Sequence, residues 1–201
     1  SRMRLKHVVV TAVARDDLRD GGAEHFARTI RAIRGVDANI VIEVLTPDFH
    51  AKEELVRVVL DAQPDIFNHN LETVERLTPM VRSRAKYAVS LKTLAQVKAM
   101  EPEIVTKSGM MLGLGEKEEE ILRAMDDLRG AGVQNLTLGQ YLRPSPQHLP
   151  VVEYIHPDEF ERYKGVAYGK GFEHVASGPL VRSSYHAADY QPKRAKAAAV
   201  V

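Results

Sequence analysis

A dense group of polar side chains stands near the end of the sequence, directly after a short apolar segment. The turn pair Gly178-Pro179 and the apolar Leu180-Val181 lead into Arg182-Ser183-Ser184-Tyr185-His186. A guanidinium, two hydroxyls, a phenol and an imidazole are not expected so close together in a solvated tail. These residues are therefore candidates for a site. The alternative is that the serines cap the next helix or turn, as most Ser-Ser pairs do.

Two further candidates fall on predicted strands. Asn68-His69-Asn70 ends one strand with three polar side chains, and its amides can either bind the polar head of a ligand or cap the next helix. A single histidine without a second ligand at helical spacing does not favour zinc. Lys107 lies within another strand, where a buried ammonium group requires a partner or an anionic ligand. A Schiff-base lysine is the competing interpretation.

Glycine-containing turns offer backbone groups to a ligand at two places. The backbone of Gly21 and Gly22, in Asp20-Gly21-Gly22-Ala23, can hold a small polar ligand or simply form a strand-to-helix turn. Gly113-Leu114-Gly115-Glu116 precedes a helix and superficially resembles a phosphate-binding loop. It lacks the third glycine of a dinucleotide fingerprint, and the glutamates that follow would repel a phosphate.

Composition limits the classes of function. Lys and Arg number 28 against 27 Asp and Glu, so the net charge of +1 predicts no electrostatic attraction to nucleic acid or to a membrane. No apolar run approaches the roughly 20 residues of a membrane-spanning helix, and the basic start is not a signal peptide. The sequence contains no cysteine, which excludes disulfides and thiolate-bound metals within this chain.

The elements that must position these residues alternate between strand and helix patterns. We predict strands at His7–Val13, Ile40–Leu45, Asp65–Asn70, Ile104–Leu112, Val133–Tyr141 and His174–Ala176, each rich in β-branched or apolar residues. The alternation predicts an α/β fold with parallel strands and outer helices. Because polar residues gather after the strands, we favour a partial TIM-like barrel over a doubly wound sheet.

Two local predictions concern helices. Gly35 is expected to cap the first helix at its carboxyl end. Leu71, Val74 and Leu77 predict a helix after the third strand, stopped near Pro79. We expect one domain over residues 1–190 and a flexible tail over residues 191–201.

The order of these motifs resembles one family. From about Leu5 to Tyr190 the chain is similar to lipoyl synthases, which are radical S-adenosylmethionine (SAM) enzymes. The matching strings are Val10–Leu18, Asp20–Ala23, Glu43–Phe49, Phe67–Val74, Thr106–Glu116, Gly139–Ser145 and Arg182–Tyr185. Several long strings in the correct order are far more specific than any single motif.

The resemblance implies a partial radical SAM barrel that inserts two sulfur atoms at C6 and C8 of an octanoyl chain on a carrier-protein lysine. It implies two 4Fe-4S clusters, one to cleave SAM and an auxiliary one as sulfur source. Ser184 would ligate the auxiliary cluster, with Arg182 as fixed positive charge beside it. The Gly21-Gly22 turn would lie near SAM, and Asn68, Asn70, Lys107 and Gln140 would face the mouth of the barrel.

The family holds its clusters with two cysteine motifs, and this sequence has neither. We therefore interpret the chain as the carboxyl-terminal portion of a lipoyl synthase, lacking the first strand, and expect it to be inactive alone. Two alternatives stay open: a non-catalytic barrel that binds octanoyl or lipoyl carrier domains, and a cluster-free Schiff-base enzyme that uses Lys107.

The resemblance also implies partners and a location. The expected partners are octanoylated lipoyl domains and H protein, with no nucleic acid and no membrane. We expect a cytoplasmic protein, with a mitochondrial or plastid location left open.

Overall fold

The protein, in a computed structural model, is described over residues 5–184. Six strands form one parallel sheet whose spatial order β1-β2-β3-β4-β5-β6 follows the chain. The strands are β1 (His7–Thr11), β2 (Val41–Leu45), β3 (Ile66–Asn68), β4 (Val105–Leu112), β5 (Asn135–Gln140) and β6 (His174–Gly178). All six predicted strands are therefore confirmed, with ends shifted by a few residues.

Helices connect the strands. They are α1 (Ala23–Val36), α2 (Glu53–Leu60), α3 (Thr78–Val81), α4 (Tyr87–Met100), α5 (Glu118–Gly130) and α6 (Pro157–Gly169), with short 3-10 turns at Phe49–Ala51 and Glu75–Leu77. Among residues 5–184 no helix is long and apolar enough to cross a bilayer. The tail predicted for residues 191–201 lies outside the described residues.

Among the described residues, the helices cover one face of the sheet. Alternate strand residues such as Ile42, Val44 and Phe67 pack against α1 and α2, while Leu136 and Leu138 pack against α5 and α6. The intervening residues Val41, Ile66 and Val105 form a separate small cluster on the opposite, inner face. A doubly wound sheet carries helices on both faces, so the one-sided arrangement confirms the partial barrel.

The inner face changes character along the strands. Its apolar cluster lies where β2, β3 and β4 begin, and buried polar side chains follow nearer the carboxyl ends. Strand pairing sets Asn68 of β3 beside Lys107 of β4, and Lys107 beside Asn135 of β5. We call the carboxyl ends of the six strands the mouth, and their opposite ends the base.

Two helix predictions are wrong. Gly35 lies inside α1, which is instead capped by Asp37. The segment after β3 is not a helix at Leu71, because Glu72 pairs with Met110 of β4 and adopts φ 70°. Pro79 accordingly lies in the first turn of the short α3 rather than ending a helix, since proline fits that position without losing a hydrogen bond.

Candidate functional site

A buried ion pair lies at the centre of the inner face. Lys107 Nζ is 2.9 Å from Glu43 Oε1, and both side chains are almost fully buried. The amide of Asn68 donates to the same carboxylate oxygen at 2.8 Å, and His7 Nε2 lies 3.5 Å from the other oxygen. Burial acts to raise the pKa of Glu43, but its contacts with His7, Lys107 and Asn68 outweigh burial and hold that pKa below its usual range.

The segment after β6 folds across this ion pair. Lys107 Nζ donates to the backbone carbonyl of Ser183 at 2.6 Å, and the amide of Asn70 donates to Ser183 Oγ at 2.8 Å. We name Glu43, Asn68, Asn70, Lys107 and Ser183 the mouth network. It joins strands β2, β3 and β4 to the predicted motif near the end of the chain.

Two glycines at the mouth have close neighbours. A Cβ atom at Gly139 would lie 2.3 Å from the carbonyl oxygen of Val181, and one at Gly109 would lie 2.4 Å from Thr137 Oγ1. Distances under 3 Å are too short for any carbon side chain. Gly139 therefore has to be glycine for the segment to be seated on the sheet, and Gly109 has to be glycine because of the side chain of Thr137 on β5.

Beside the network lies a cavity of about 270 Å³. Asn70, Glu72, Arg182 and Ser183 supply its polar lining, with Gly109 and Gly139 in its floor. Asn70 Oδ1 is buried and has no hydrogen-bond partner among residues 5–184, and burial raises the pKa of Glu72. These oxygens suit a ligand that donates hydrogen bonds.

The predicted residues are brought together only in part. Asn68, Asn70 and Lys107 meet in the mouth network, and Arg182 lines the adjoining cavity. Ser184 follows directly and is exposed, while Tyr185 and His186 lie outside the described residues. Gln140 borders the same cavity, but its Nε2 donates to the carbonyls of Tyr141 and Glu153 and its Oε1 accepts from the amide of Ile155. Its amide therefore holds a loop.

The two predicted glycines lie elsewhere at the mouth. Gly21 and Gly22 adopt φ 58° and 89° in the turn into α1, where Asp20 accepts from the amides of Gly22 and Glu24. Gly22 borders a separate cavity of about 280 Å³ between β1 and α1. A larger hollow of about 930 Å³ lies along the same strand and helix. Its lining includes apolar residues such as Leu5, Val8 and Ile33 as well as Lys6, His25, Arg28 and Asp37.

Other sequence candidates have structural roles. His69 is buried between the carbonyl of Thr46 and the hydroxyl of Ser90, both at 2.9 Å, and burial lowers its pKa to about 4. The amides of Gly113 and Leu114 both donate to the side chain of Glu116, so that loop has no free cradle for a phosphate.

Sequence reasoning missed Glu43 and Glu72 as site residues. Glu43 carried a usable signal, because it is the one charged residue in the apolar run Ile40–Leu45. Glu72 carried none, since its place beside the cavity depends on the unusual backbone that pairs it with β4.

The residues present do not fit an iron–sulfur cluster held in the usual way. Such clusters are bound by cysteine thiolates, and the sequence has no cysteine. Across residues 5–184, moreover, no three His, Asp or Glu side chains are grouped closely enough to hold a metal ion. Thiolate ligands for any such cluster would have to come from outside this sequence.

Comparison with known proteins yields one family profile and many curated relatives. The profile of the radical SAM superfamily matches residues 1–128. The chain is 57% identical over 195 residues to the lipoyl synthase of Geobacillus kaustophilus, which covers 97% of this chain and 65% of that protein. It is 57% identical to the lipoyl synthase of Rubrobacter xylanophilus, over 92% of this chain and 58% of that protein. The chain thus spans 58–65% of the length of these two relatives.

Solved structures support the fold. Methylornithine synthase superposes with a TM-score of 0.62 at 9% identity, over 89% of this chain and 59% of that one. The hydrogenase maturase HydG superposes with a TM-score of 0.53 at 16% identity, over 94% of this chain and 49% of that one. At such identities the likeness bears on the fold alone.

Proposed function

The chain belongs to the radical SAM superfamily, and we propose that it forms the substrate- and SAM-binding mouth of a lipoyl synthase. The reaction would insert two sulfur atoms, at C6 and C8, into an octanoyl chain on a lysine of a carrier protein. The observation that carries the proposal is the seating of Arg182-Ser183-Ser184 against the carboxyl ends of the strands by Lys107 and Asn70. The similarity to lipoyl synthases over 97% of the chain supports it.

Each part of the mouth has a place in this proposal. Ser184 would be an oxygen ligand to the auxiliary cluster, and Arg182 would add positive charge next to it. The cavity bordered by Asn70 and Glu72 would take a part of SAM that donates hydrogen bonds, since both residues present oxygen acceptors there. Octanoylated lipoyl domains or H protein would be the carriers.

A fusion protein tests the proposal. The part of the Geobacillus kaustophilus lipoyl synthase that this chain does not match would be joined to the chain, and an octanoylated lipoyl domain would be incubated with it, SAM and a reductant. We expect mass spectrometry to show lipoylation by the fusion, none by the chain alone, and a loss of the product in a Ser184→Ala fusion. A fully active Ser184→Ala fusion would contradict the role given to Ser184.

Iron content tests the chain by itself. Because the sequence supplies no thiolate, we expect anaerobic reconstitution of the isolated chain to yield far less than four irons per molecule. A stoichiometric four-iron cluster would overturn this expectation.

The absence of cysteine favours a second candidate, a non-catalytic module that binds carrier domains. An octanoylated lipoyl domain retained by the immobilised chain, with the unmodified domain not retained, would support it. A Schiff-base role for Lys107 has no such support, because its ammonium is ion-paired with Glu43 and bonded to Ser183, whereas an attacking amine has to be neutral and accessible. Borohydride trapping with a carbonyl substrate is expected to give no adduct.

A further inference from the structure

We propose that Lys107 is a positioning residue that fastens the segment carrying Ser184 across the mouth, rather than a residue that binds SAM or substrate. Only the consequence for Ser184 as a cluster ligand rests on the proposed function. The fastening itself is a property of the described residues. We call the contacts of Lys107 and Asn70 with Ser183 the latch.

The first step is the state of the lysine. Its side chain is 6% exposed and its partner Glu43 is 1% exposed, so the ammonium is not available to a ligand entering from solvent. A buried carboxylate also fixes the direction of the ammonium, because a charge removed from water must keep its partner. Glu43 therefore holds Lys107 ready to donate a further hydrogen bond.

The second step is the recipient of that bond. Lys107 donates to the backbone carbonyl of Ser183, a group that every residue type possesses, while Asn70 donates to the hydroxyl of Ser183. One contact is insensitive to the side chain at position 183 and the other depends on it. Together they fix both the path of the backbone and its rotation immediately before Ser184.

The third step is what else holds the segment. Arg182 donates to the carbonyls of Pro179 and Val181 within its own turn, and Val181 donates to Gly178. These bonds shape the turn but do not tie it to another strand. In the described residues, the ties between this segment and other strands are those of Asn70, just after β3, and Lys107 of β4, together with the packing of Val181 over Gly139 of β5.

A single spin label tests the latch. Because the sequence has no cysteine, Ser184→Cys gives one attachment site for a nitroxide, on a residue that is exposed. We expect an immobilised spectrum in this background. Adding Lys107→Met should shift the balance between immobile and mobile components by at least about tenfold, the loss expected for a hydrogen bond from a charged donor. Ser183→Ala should shift it less, because the carbonyl contact remains.

Two controls distinguish a loss of the latch from a general loss of folding stability. Lys98→Met removes another lysine that donates to a backbone carbonyl, that of Ile104, and should leave the label immobile. If Lys107→Met does not fold, the paired Glu43→Gln, Lys107→Met variant removes both charges together and should mobilise the label in a folded protein. An unchanged spectrum in a folded variant lacking Lys107 would overturn the proposal. That result is independent of the lipoylation assay, so failure of either idea is recognised separately.

Discussion

Two lysines join elements of this protein at opposite ends of the sheet, and they do so by different means. At the mouth Lys107 is paired with the buried carboxylate of Glu43. At the base Lys98 of α4 is half-buried and donates to neutral groups, the carbonyl of Ile104 and the side-chain oxygen of Gln134, each at 2.8 Å. Gln134 in turn donates to Glu173 at the start of β6.

The difference between the two lysines indicates that the mouth of the barrel, rather than its base, is organised for function. Neutral acceptors at the base can exchange protein hydrogen bonds for water with little loss. A buried ion pair, by contrast, contributes little net stability over apolar packing, and we attribute the pair at the mouth to the fixing of geometry. At the mouth, the buried ion pair places the segment before Ser184. At the base, hydrogen bonds to neutral acceptors tie helix to sheet.

The largest expected effect comes from removing one charge at the mouth. Lys107→Met leaves Glu43 buried without its cation, so we expect a loss of about 3–5 kcal/mol in the free energy of unfolding. Lys98→Met should cost about 1 kcal/mol, because its acceptors are neutral and reach water. Urea denaturation of the two variants measures the contrast.

The double variant Glu43→Gln, Lys107→Met sharpens the same comparison. It leaves no unpaired charge, so its loss should be smaller than that of Lys107→Met alone. Equal losses for Lys107→Met and Lys98→Met would remove the distinction between the two ends.

The second effect is a pH dependence that arises at the mouth. Burial lowers the pKa of His69 to about 4, so between pH 6.5 and pH 4 the unfolded chain binds a proton that the folded protein does not. Stability is therefore complete above pH 6.5 and falls as the pH falls, by roughly 3 kcal/mol at pH 4. Urea unfolding at a series of pH values measures the decline.

His69→Gln is the control, because it removes the titrating ring. Glu72, whose pKa burial raises, favours the folded state as the pH falls, but it is present in both proteins and cancels in the difference. A difference between the two proteins that does not change from pH 7 to pH 4 would show that His69 is not held neutral.

The smallest effect concerns the glycine beneath the latch. Gly139→Ala places a carbon against the carbonyl of Val181, and we expect a loss of about 1–3 kcal/mol together with a mobilised label at position 184. Gly165→Ala, in the middle of α6, meets nothing within 4 Å and should instead stabilise by about 0.5–1 kcal/mol. Thermal unfolding of both variants checks the opposite signs.

The sequence predicts the framework of the fold better than the site. The six strands are predictable because short apolar runs rich in β-branched residues, such as His7–Val13, are typical of buried strands. The helix at Leu71 was predicted wrongly because Leu71, Val74 and Leu77 follow a helical period that the pairing of Glu72 with β4 overrides. A local pattern carries no information about a partner 38 residues away.

The sequence predicts site residues where the residue type by itself requires a partner. A lysine within a strand indicated a partner, but the identity of Glu43, 64 residues earlier, depended on the register of three strands. Gln140 shows a similar limit: its place at a strand end predicts ligand binding, but its hydrogen bonds to the loop at Glu153 and Ile155 could not be predicted from the sequence.

The order of the strands has a consequence for how the protein is made. Because each strand within residues 5–184 pairs with its neighbours in the chain, the sheet can form one unit at a time as the polypeptide leaves the ribosome. Glu43 emerges before its cation on β4, and Ser183 emerges last of the three. We expect a nascent chain from which β6, but not yet Ser183, has emerged to have a formed sheet with an open mouth, so that the mouth network closes only when Ser183 has emerged.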